Sequence, residues 1–421
     1  MKILSKTSGK LVELSVLLVL ILLFKGCGEA EKGTSSTRTG KVLLWHTFSN
    51  EEAATLDVVL KKFSEKFPKI KVSVESVPFF QARNKFEQAV KNNIAPDIFR
   101  SDRFWTMKFA KNGIIEPLDQ IFKNQIPELL GTAKTLVTYN QQVWGIPHSM
   151  DCLALLYNKR HFAEKSLSPP GDFDTFRETA KVLTRADSGR YGFFMNPSGW
   201  WFETMIFAFG GKYFDQNGHL AIRSEQTLKA LHFLIDLKET SKVMPPVNLR
   251  NNAYNLMTQS FKSGQVSMIF DGPWAIKDLL NSVAFRDPTN LGVAKIPSGP
   301  QGCFSPVGCQ SFVISKGSRN IKDAAELINF LCEPENMKLF TQNNYMIPTK
   351  KTQLNDSEIK KNPFLSQFIT QIHSTSIPDN SPDRNKFYTV FEDYLHKCLN
   401  GEITPQDAMK DIENAYKNKP E

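Results

Sequence analysis

The pattern of apolar and polar residues alternates between strand-like and helix-like segments from Lys41 onward. Lys41–Trp45 is a short apolar run, and apolar residues at every second position from Ile70 predict a second strand. Between these strands, Ser49 and Glu52 have the spacing of a capping box, ahead of apolar residues at helical spacing. This order of elements predicts an α/β protein whose parallel sheet is covered by helices.

The same alternation continues along the rest of the chain, and no segment repeats another. Further strands are predicted in residue ranges 96–99, 152–157, 266–270, 291–296 and 311–315. Further helices are predicted in residue ranges 173–184, 225–238, 323–332 and 388–398, and after Thr404. Pro273 suits the first position of a helix.

The first 26 residues differ from the rest, because three lysines precede an apolar run from Leu11 to Phe24. The run is shorter than the about 20 apolar residues that span a bilayer, and it is typical of a secretory signal peptide. Gly26 followed by Cys27 resembles a bacterial lipobox, which predicts a lipoprotein-type signal over 1–26, a lipid anchor on Cys27 and a polar tether over 27–40. The alternative is an uncleaved anchor with Cys27 unmodified. Both place the protein outside the cytoplasmic membrane.

Composition excludes several classes of protein. The 421 residues are 41% hydrophobic and include 32 Phe, which excludes a largely disordered chain. The net charge of +9 comes from scattered lysines and arginines, so we predict a solvated surface and no nucleic-acid partner.

Cysteines do not form a disulfide framework. Five follow Cys27, and none of them forms a C-x-x-C pair. Cys303 and Cys309 bracket a short segment, so they are either bridged in an oxidising compartment or buried as free thiols.

Known catalytic and cofactor motifs are absent from the sequence. It has no phosphate-binding loop, dinucleotide fingerprint, zinc-protease motif or nucleophile elbow. The seven histidines lack metal-ligand spacing, so we expect neither a metal nor a cofactor. A pair of glycosidase carboxylates stays open as an alternative, because acidic residues are abundant.

Aromatic residues occur next to turn and polar residues in four places. These are residues 45–48, 100–105, 198–201 in a predicted loop, and 271–274. Ligands of open α/β sheets bind beyond the carboxyl ends of the strands, where several of these clusters would lie. A sugar presents an apolar C–H face to an aromatic ring and a rim of hydroxyls to carboxylates and amides.

Each tryptophan can serve either the core or a ligand. We assign Trp45 and Trp144 to packing. We assign Trp200, Trp201 and Trp274 to ligand contact.

Eight segments, in the same order along the chain, resemble the extracellular solute-binding proteins of sugar ABC transporters, in particular the maltose/maltodextrin-binding branch. They are Val42–Phe48, Ala95–Asp102, Asn112–Asp119, Trp144–Asp151, Leu155–Lys159, Phe261–Gly264, Asp271–Trp274 and Ser305–Gly317. The resemblance covers essentially all of residues 41–415.

This resemblance implies a type II periplasmic-binding-protein fold, with two discontinuous α/β lobes that close on the ligand about a hinge. The N-terminal lobe would comprise residues 41–150 plus 297–345. The C-terminal lobe would comprise 151–296 plus 346–421. Closure is physically reasonable because a ligand that contacts both lobes favours the closed state.

The resemblance also implies site residues. Asp102 matches a carboxylate for sugar hydroxyls, Asp151 an acidic position at the hinge, and Trp274 a tryptophan that stacks on sugar. Gln310 matches a contact in a glycine-rich loop. The further candidates, by location alone, are Glu51, His46 and Trp105.

Two positions depart from the family pattern. Ser149 stands where relatives often have an aromatic residue, and Ile377 stands where an arginine is expected.

The implied function is capture of maltose, a malto-oligosaccharide or a similar disaccharide, and its delivery to the permease subunits of an ABC transporter. The protein would lie on the periplasmic or cell-surface side of the cytoplasmic membrane. Two alternatives are a surface-anchored carbohydrate-active enzyme and a binding protein for another polar solute.

Overall fold

A computed structural model describes residues 40–215, 217–247, 252–374 and 384–418 of the chain. All of them belong to one compact unit, Thr39–Glu421. The predicted signal peptide, Cys27, residues 27–39 of the tether and Ile377 lie outside the described residues. In the described ranges, we find no helix with both the length and the apolar character needed to cross a membrane.

The strands form two larger sheets and one small hairpin. In the described residues their bounds are β1 Lys41–His46, β2 Lys71–Ser76, β3 Ile98–Asp102, β4 Thr138–Tyr139, β5 Gln142–Val143, β6 Ile146–Cys152, β7 Ala154–Asn158, β8 Tyr191–Phe194, β9 Val266–Asp271, β10 Leu291–Ala294 and β11 Val307–Ile314.

Helices connect the strands and make up most of the C-terminal part. In the described residues they are α1 Asn50–Lys66, α2 Phe79–Lys91, α3 Arg103–Lys111, α4 Gly131–Thr135, α5 Lys159–Ala163, α6 Phe173–Leu183, α7 Gly199–Ala208, α8 Glu225–Ile235, α9 Ala253–Lys262, α10 Ile276–Leu280, α11 Ile321–Leu331, α12 Pro334–Asn344, α13 Lys351–Leu354, α14 Ser357–Lys361, α15 Leu365–His373, α16 Arg384–Leu399 and α17 Pro405–Asn418.

The first sheet has the strand order β2-β1-β3-β11-β6. β1 runs parallel to β2 and β3, whereas β11 runs antiparallel to β3 and β6. The start of β11 at Val307 pairs with the end of β6 at Cys152. Because β6 leaves the sheet where β11 enters it, these two strands run in opposite directions. The parallel sheet predicted from the first strands is confirmed for β1, β2 and β3, and β11 is added to it in the antiparallel direction.

The second sheet has the strand order β10-β7-β9-β8. β7 is antiparallel to both neighbours, and β8 is parallel to β9. Leu153 alone separates β6 of the first sheet from β7 of the second, so the single strand predicted over 152–157 is interrupted where the chain passes between the sheets. The two sheets organise the two lobes that the sequence predicts.

Each lobe has its own apolar core. In the first sheet, alternate residues enter opposite layers: Val42 and Leu44 pack with Phe63 of α1, while Trp45 packs with Phe86 of α2. Such alternation buries a sheet on both faces. The second lobe is built around β7, β8 and β9, and all six residues of β9 are buried.

Local signals in the sequence are confirmed where they can be checked. Ser49 and Glu52 form the predicted capping box of α1, and Pro273 opens a short 3-10 turn, Pro273–Ala275. Trp200, which the sequence predicts in a loop, instead lies in the first turn of α7, where Ser198 is the N-cap. A serine at this position satisfies a free backbone N–H, which starts the helix before the tryptophans.

Cys303 and Cys309 are free thiols, so the bridged alternative is wrong. Cys309 is buried in β11. Cys303 accepts a hydrogen bond at its Sγ from Gln371 Nε2 at 3.2 Å, which places it in a packed environment on the second lobe.

Candidate ligand-binding cleft

A cleft of about 1330 Å³ opens between the carboxyl ends of first-sheet strands and helices of the second lobe. All of the predicted contact residues except His46 line it: Glu51, Asp102, Trp105, Asp151, Trp200, Trp201, Trp274 and Gln310. The cleft exceeds the roughly 300–1,000 Å³ typical of a small-molecule pocket.

His46 does not line the cleft, so its position does not support the predicted ligand contact. His46 is 3% exposed, and its Nδ1 accepts a hydrogen bond from the Phe48 backbone N–H at 3.2 Å. Burial, together with the positive charge of Arg100, lowers the pKa of His46 to about 4. A neutral imidazole at this place fixes the turn after β1.

Backbone register brings Asp102 and Gln310 together. Asp102 ends β3 and caps α3, because its Oδ1 accepts a hydrogen bond from the Phe104 backbone N–H at 2.9 Å. β11 places Gln310 directly opposite Asp102, and Gln310 Nε2 donates to Asp102 Oδ2 at 3.4 Å. The cap and the strand pair therefore hold one carboxylate and one amide side by side at the cleft.

The second carboxyl group, that of Asp151, occupies space that a glycine leaves free. Asp151 on β6 pairs with Gly308 on β11. A Cβ atom at Gly308 would lie 1.9 Å from Asp151 Oδ1, so no larger residue fits without moving this carboxyl. Ser149, two residues earlier on β6, also lines the cleft, in place of the aromatic residue that the family pattern suggests.

The two carboxyls influence each other. Burial, together with the nearby Asp102 carboxylate and against the charge of Arg100, raises the pKa of Asp151 to about 7. Burial also raises the pKa of Asp102, against the hydrogen bond from Phe104. Near neutral pH the pair therefore offers both hydrogen-bond acceptors and a donor to the hydroxyls of a ligand.

Arg100 is a cleft residue that sequence reasoning did not single out. Its guanidinium lies over the Phe48 ring at 4.0 Å, and its Nη1 donates to Thr47 Oγ1 at 3.1 Å. Burial of this side chain lowers its pKa. The nearby carboxylates of Glu52, Asp151 and Asp102 act in the opposite direction, because they favour the charged guanidinium. The available signal was its place at the end of β3, two residues before Asp102.

The second lobe contributes an aromatic wall, formed by Trp200, Trp201, Trp274 and Tyr254. The Trp200 ring lies 5.1 Å from that of Trp201 and 5.9 Å from that of Trp274. Trp274 Nε1 donates to Tyr254 Oη at 2.9 Å, and Trp201 Nε1 donates to the Phe270 carbonyl at 2.8 Å. The indole N–H groups of Trp201 and Trp274 are therefore satisfied within the protein, and the faces of these two rings are left for an apolar surface.

Tyr254 joins this wall from α9 and was not predicted from the sequence, because it lies in a different segment from Trp201 and Trp274. By contrast, Trp45 and Trp144 lie outside the cleft, as their assignment to packing expects. Trp45 is 5% exposed, and Trp144 Nε1 donates to the Tyr139 carbonyl at 3.0 Å.

No group of three or more His, Cys, Asp or Glu side chains that could hold a metal ion occurs in the part of the chain that the structure describes. The cleft is thus described by its aromatic, amide and carboxyl groups.

A family profile described as bacterial extracellular solute-binding protein matches residues 49–338. The maltotriose-binding protein of Pyrococcus abyssi is 24% identical over 362 residues, which cover 84% of this chain and 75% of that protein. The maltooligosaccharide ABC transporter solute-binding lipoprotein of Streptococcus pneumoniae is 23% identical over 292 residues, 66% of each chain.

Among solved structures, the GacH receptor of Streptomyces glaucescens, determined unliganded and with acarbose, superposes with a TM-score of 0.84. It is 26% identical, with 90% of this chain and 97% of that chain covered. The two-lobed fold and the family resemblance read from the sequence are thereby confirmed. The chain belongs to the bacterial extracellular solute-binding protein family.

Proposed function

We propose that this protein is the sugar-capturing subunit of an ABC importer, and that it binds a malto-oligosaccharide in the cleft without chemical conversion. The observation that carries the proposal is the aromatic wall of Trp200, Trp201, Trp274 and Tyr254 in the same cleft as the Asp102–Asp151 carboxyls. The names of the relatives from Pyrococcus abyssi and Streptococcus pneumoniae support the same ligand class.

The roles of the residues follow from the chemistry of a sugar ring. Trp274 and its neighbours receive the apolar C–H face, while Asp102, Asp151 and Gln310 bind hydroxyls at the rim. Each hydroxyl that leaves water needs a new hydrogen-bond partner, and these groups supply it. Glu51 and Trp105, which line the same cleft, complete the proposed contact set.

The proposed lobes are 41–150 plus 297–345, and 151–296 plus 346–421. The passage of the chain from β6 of the first sheet to β7 of the second supports a crossing next to Leu153. The hydrogen bond from the Phe173 backbone N–H to the Ser298 carbonyl at 3.0 Å and the start of β11 at Val307 favour a second crossing closer to Val307 than to residue 297. The connecting strands are short, so rotation about them would close the lobes on a ligand held by both walls.

We further propose export by the signal at 1–26, lipid attachment at Cys27 and delivery of the sugar to two membrane permease subunits. A relative named as a lipoprotein supports the anchor. A tether over 27–40 would keep the binding lobes close to the permease while they exchange sugar. The protein would act on the outer side of the cytoplasmic membrane.

Isothermal titration calorimetry on the purified protein without residues 1–26 tests binding. We expect heat of binding, with one site, for maltose, maltotriose or maltotetraose, and none for free amino acids. Chromatography of the sugar after prolonged incubation tests the absence of catalysis, and we expect the sugar unchanged. Cleaved sugar would favour the carbohydrate-active enzyme, and heat from amino acids alone would favour another polar solute.

A further inference from the structure

Phe80 is out of place on its helix. In α2, Ala82, Phe86 and Ala89 face the core, as an amphipathic helix requires. Phe80 instead heads the opposite, polar face, together with Arg83 and Asn84 at three and four residues further on. It is 90% exposed, more than the other large hydrophobic residues found exposed in the described chain.

A single exposed apolar residue needs no explanation, but Phe80 is part of a connected set of rings. Its ring meets Phe79 edge to face at 5.7 Å, Phe79 contacts Trp105 at 4.6 Å, and Trp105 lies parallel to Phe99 at 6.2 Å. Phe99 is fully buried in the core. The set therefore runs from the core of the first lobe to the edge of the cleft, which Phe79, Phe80 and Trp105 all line.

Polar groups stand beside the exposed ring. Arg83 Nε and Nη2 both donate to Asn84 Oδ1, at 3.3 and 3.2 Å, and both residues line the cleft. Arg83 and Asn84 follow Phe80 by three and four residues, so they lie on the same face of the helix. An aromatic face with amide and guanidinium groups at its edge is the combination that binds a sugar unit, through its C–H face and its hydroxyls.

This aromatic set is separate from the wall formed by Trp200, Trp201, Trp274 and Tyr254. Among the described residues, no ring contact joins Phe79, Phe80 or Trp105 to that wall. The two sets belong to opposite sides of one cleft, whose volume of about 1330 Å³ is larger than a drug-sized ligand requires.

We propose that Phe79, Phe80, Arg83 and Asn84 form a second sugar subsite, at the cleft edge of the first lobe. This inference rests on the proposed function and extends it: the ligand is a linear oligosaccharide of three or more units. The units nearest the tryptophan wall bind there, and a further unit stacks on Phe80.

Calorimetry with maltose, maltotriose, maltotetraose and maltopentaose tests the subsite, with the wild type, Phe80→Ala and Phe80→Trp. We expect Phe80→Ala to bind the longer sugars about ten-fold more weakly, while maltose affinity changes less than about two-fold. Phe80→Trp should keep the wild-type dependence on chain length, because it retains an aromatic face.

The control variant is Ile94→Ala, which removes an exposed apolar side chain just after the same helix and outside the cleft. It should bind every sugar as the wild type does. The subsite is overturned if Phe80→Ala binds all lengths normally, or if it weakens maltose as much as maltotetraose. If the wild type itself binds none of these sugars, the proposed function fails first, and the subsite with it.

Discussion

At the scale of single residues, surroundings decide what each tryptophan does. Trp45 and Trp274 both follow or end a strand in sequence, yet Trp45 is packed under Lys85, whose Nζ lies 4.7 Å from the ring centroid. Trp274 instead lines the cleft, with its indole N–H bound to Tyr254. An indole whose polar atom is satisfied inside the protein is free to present its face to a ligand.

Replacing Trp274 with alanine should weaken sugar binding by roughly 1–3 kcal/mol, because the ligand loses an apolar face that excludes water. Calorimetry with the best ligand measures the change. Trp144→Ala is the matched control, since it removes the same kind of ring outside the cleft and should leave affinity unchanged. Wild-type affinity in Trp274→Ala would mean that this ring only packs.

At the scale of elements, β9 illustrates how a strand carries a polar group into the core. All of its residues are buried, and it ends in Asp271, whose Oδ1 accepts a hydrogen bond from the Gly272 backbone N–H at 2.8 Å. Gly272 itself contacts Trp274 so closely that a Cβ would lie 2.0 Å from the indole ring. The Asp271-Gly272 pair thus lets the chain turn under the aromatic wall.

Burial raises the pKa of Asp271 to about 8 from its ordinary value of 3.8. The folded protein therefore holds this proton over a pH range where the unfolded chain has released it, so the stability that Asp271 provides falls as pH rises from about 4 to 8. Asparagine stays neutral. The wild type should therefore lose stability relative to Asp271→Asn as the pH rises from about 4 to 8, and the difference between their free energies of unfolding should change by a few kcal/mol.

Urea unfolding of both proteins at pH 5 and pH 8.5 measures this difference. Asp278→Asn, a substitution at an exposed carboxyl paired with Lys262, controls for the loss of one surface charge. A difference between Asp271→Asn and wild type that is the same at both pH values would contradict the prediction.

At the scale of the whole molecule, two lobes share one cleft, and side chains already meet between them. The Phe104 ring on α3 lies 5.7 Å from that of Tyr388 on α16, in an edge-to-face contact. A ligand that bridges both walls adds interactions of the same kind. In the proposed function, the full binding energy would be available only when both walls contact the ligand, and this would couple binding to closure.

Saturating sugar should reduce the radius of gyration measured by small-angle X-ray scattering. At a free concentration 100 times the dissociation constant, it should also add about 2.7 kcal/mol to the free energy of unfolding. A sugar that gives no heat in calorimetry serves as the control and should change neither quantity. An unchanged radius at saturation would show that the lobes do not close on the ligand.

Much of the architecture was readable from the sequence. The capping box at Ser49 and the helix start at Pro273 depend on neighbouring residues, and the structure confirms both. The order of strands and helices was predictable because hydrophobic periodicity is local. Asp102 and Trp274 could be singled out because they match contact positions in the family that the chain resembles, and both lie near the end of a predicted strand.

Only the tertiary structure decided which distant residues meet. Gln310 reaches Asp102 because β11 returns from the second lobe and pairs antiparallel with β3, which a local pattern cannot show. Arg100 and Tyr254 belong to the cleft for the same reason: each is ordinary in its own segment and acquires its role from residues of other segments. Local propensity determines elements, whereas a binding site depends on the packing of elements separated by long stretches of chain.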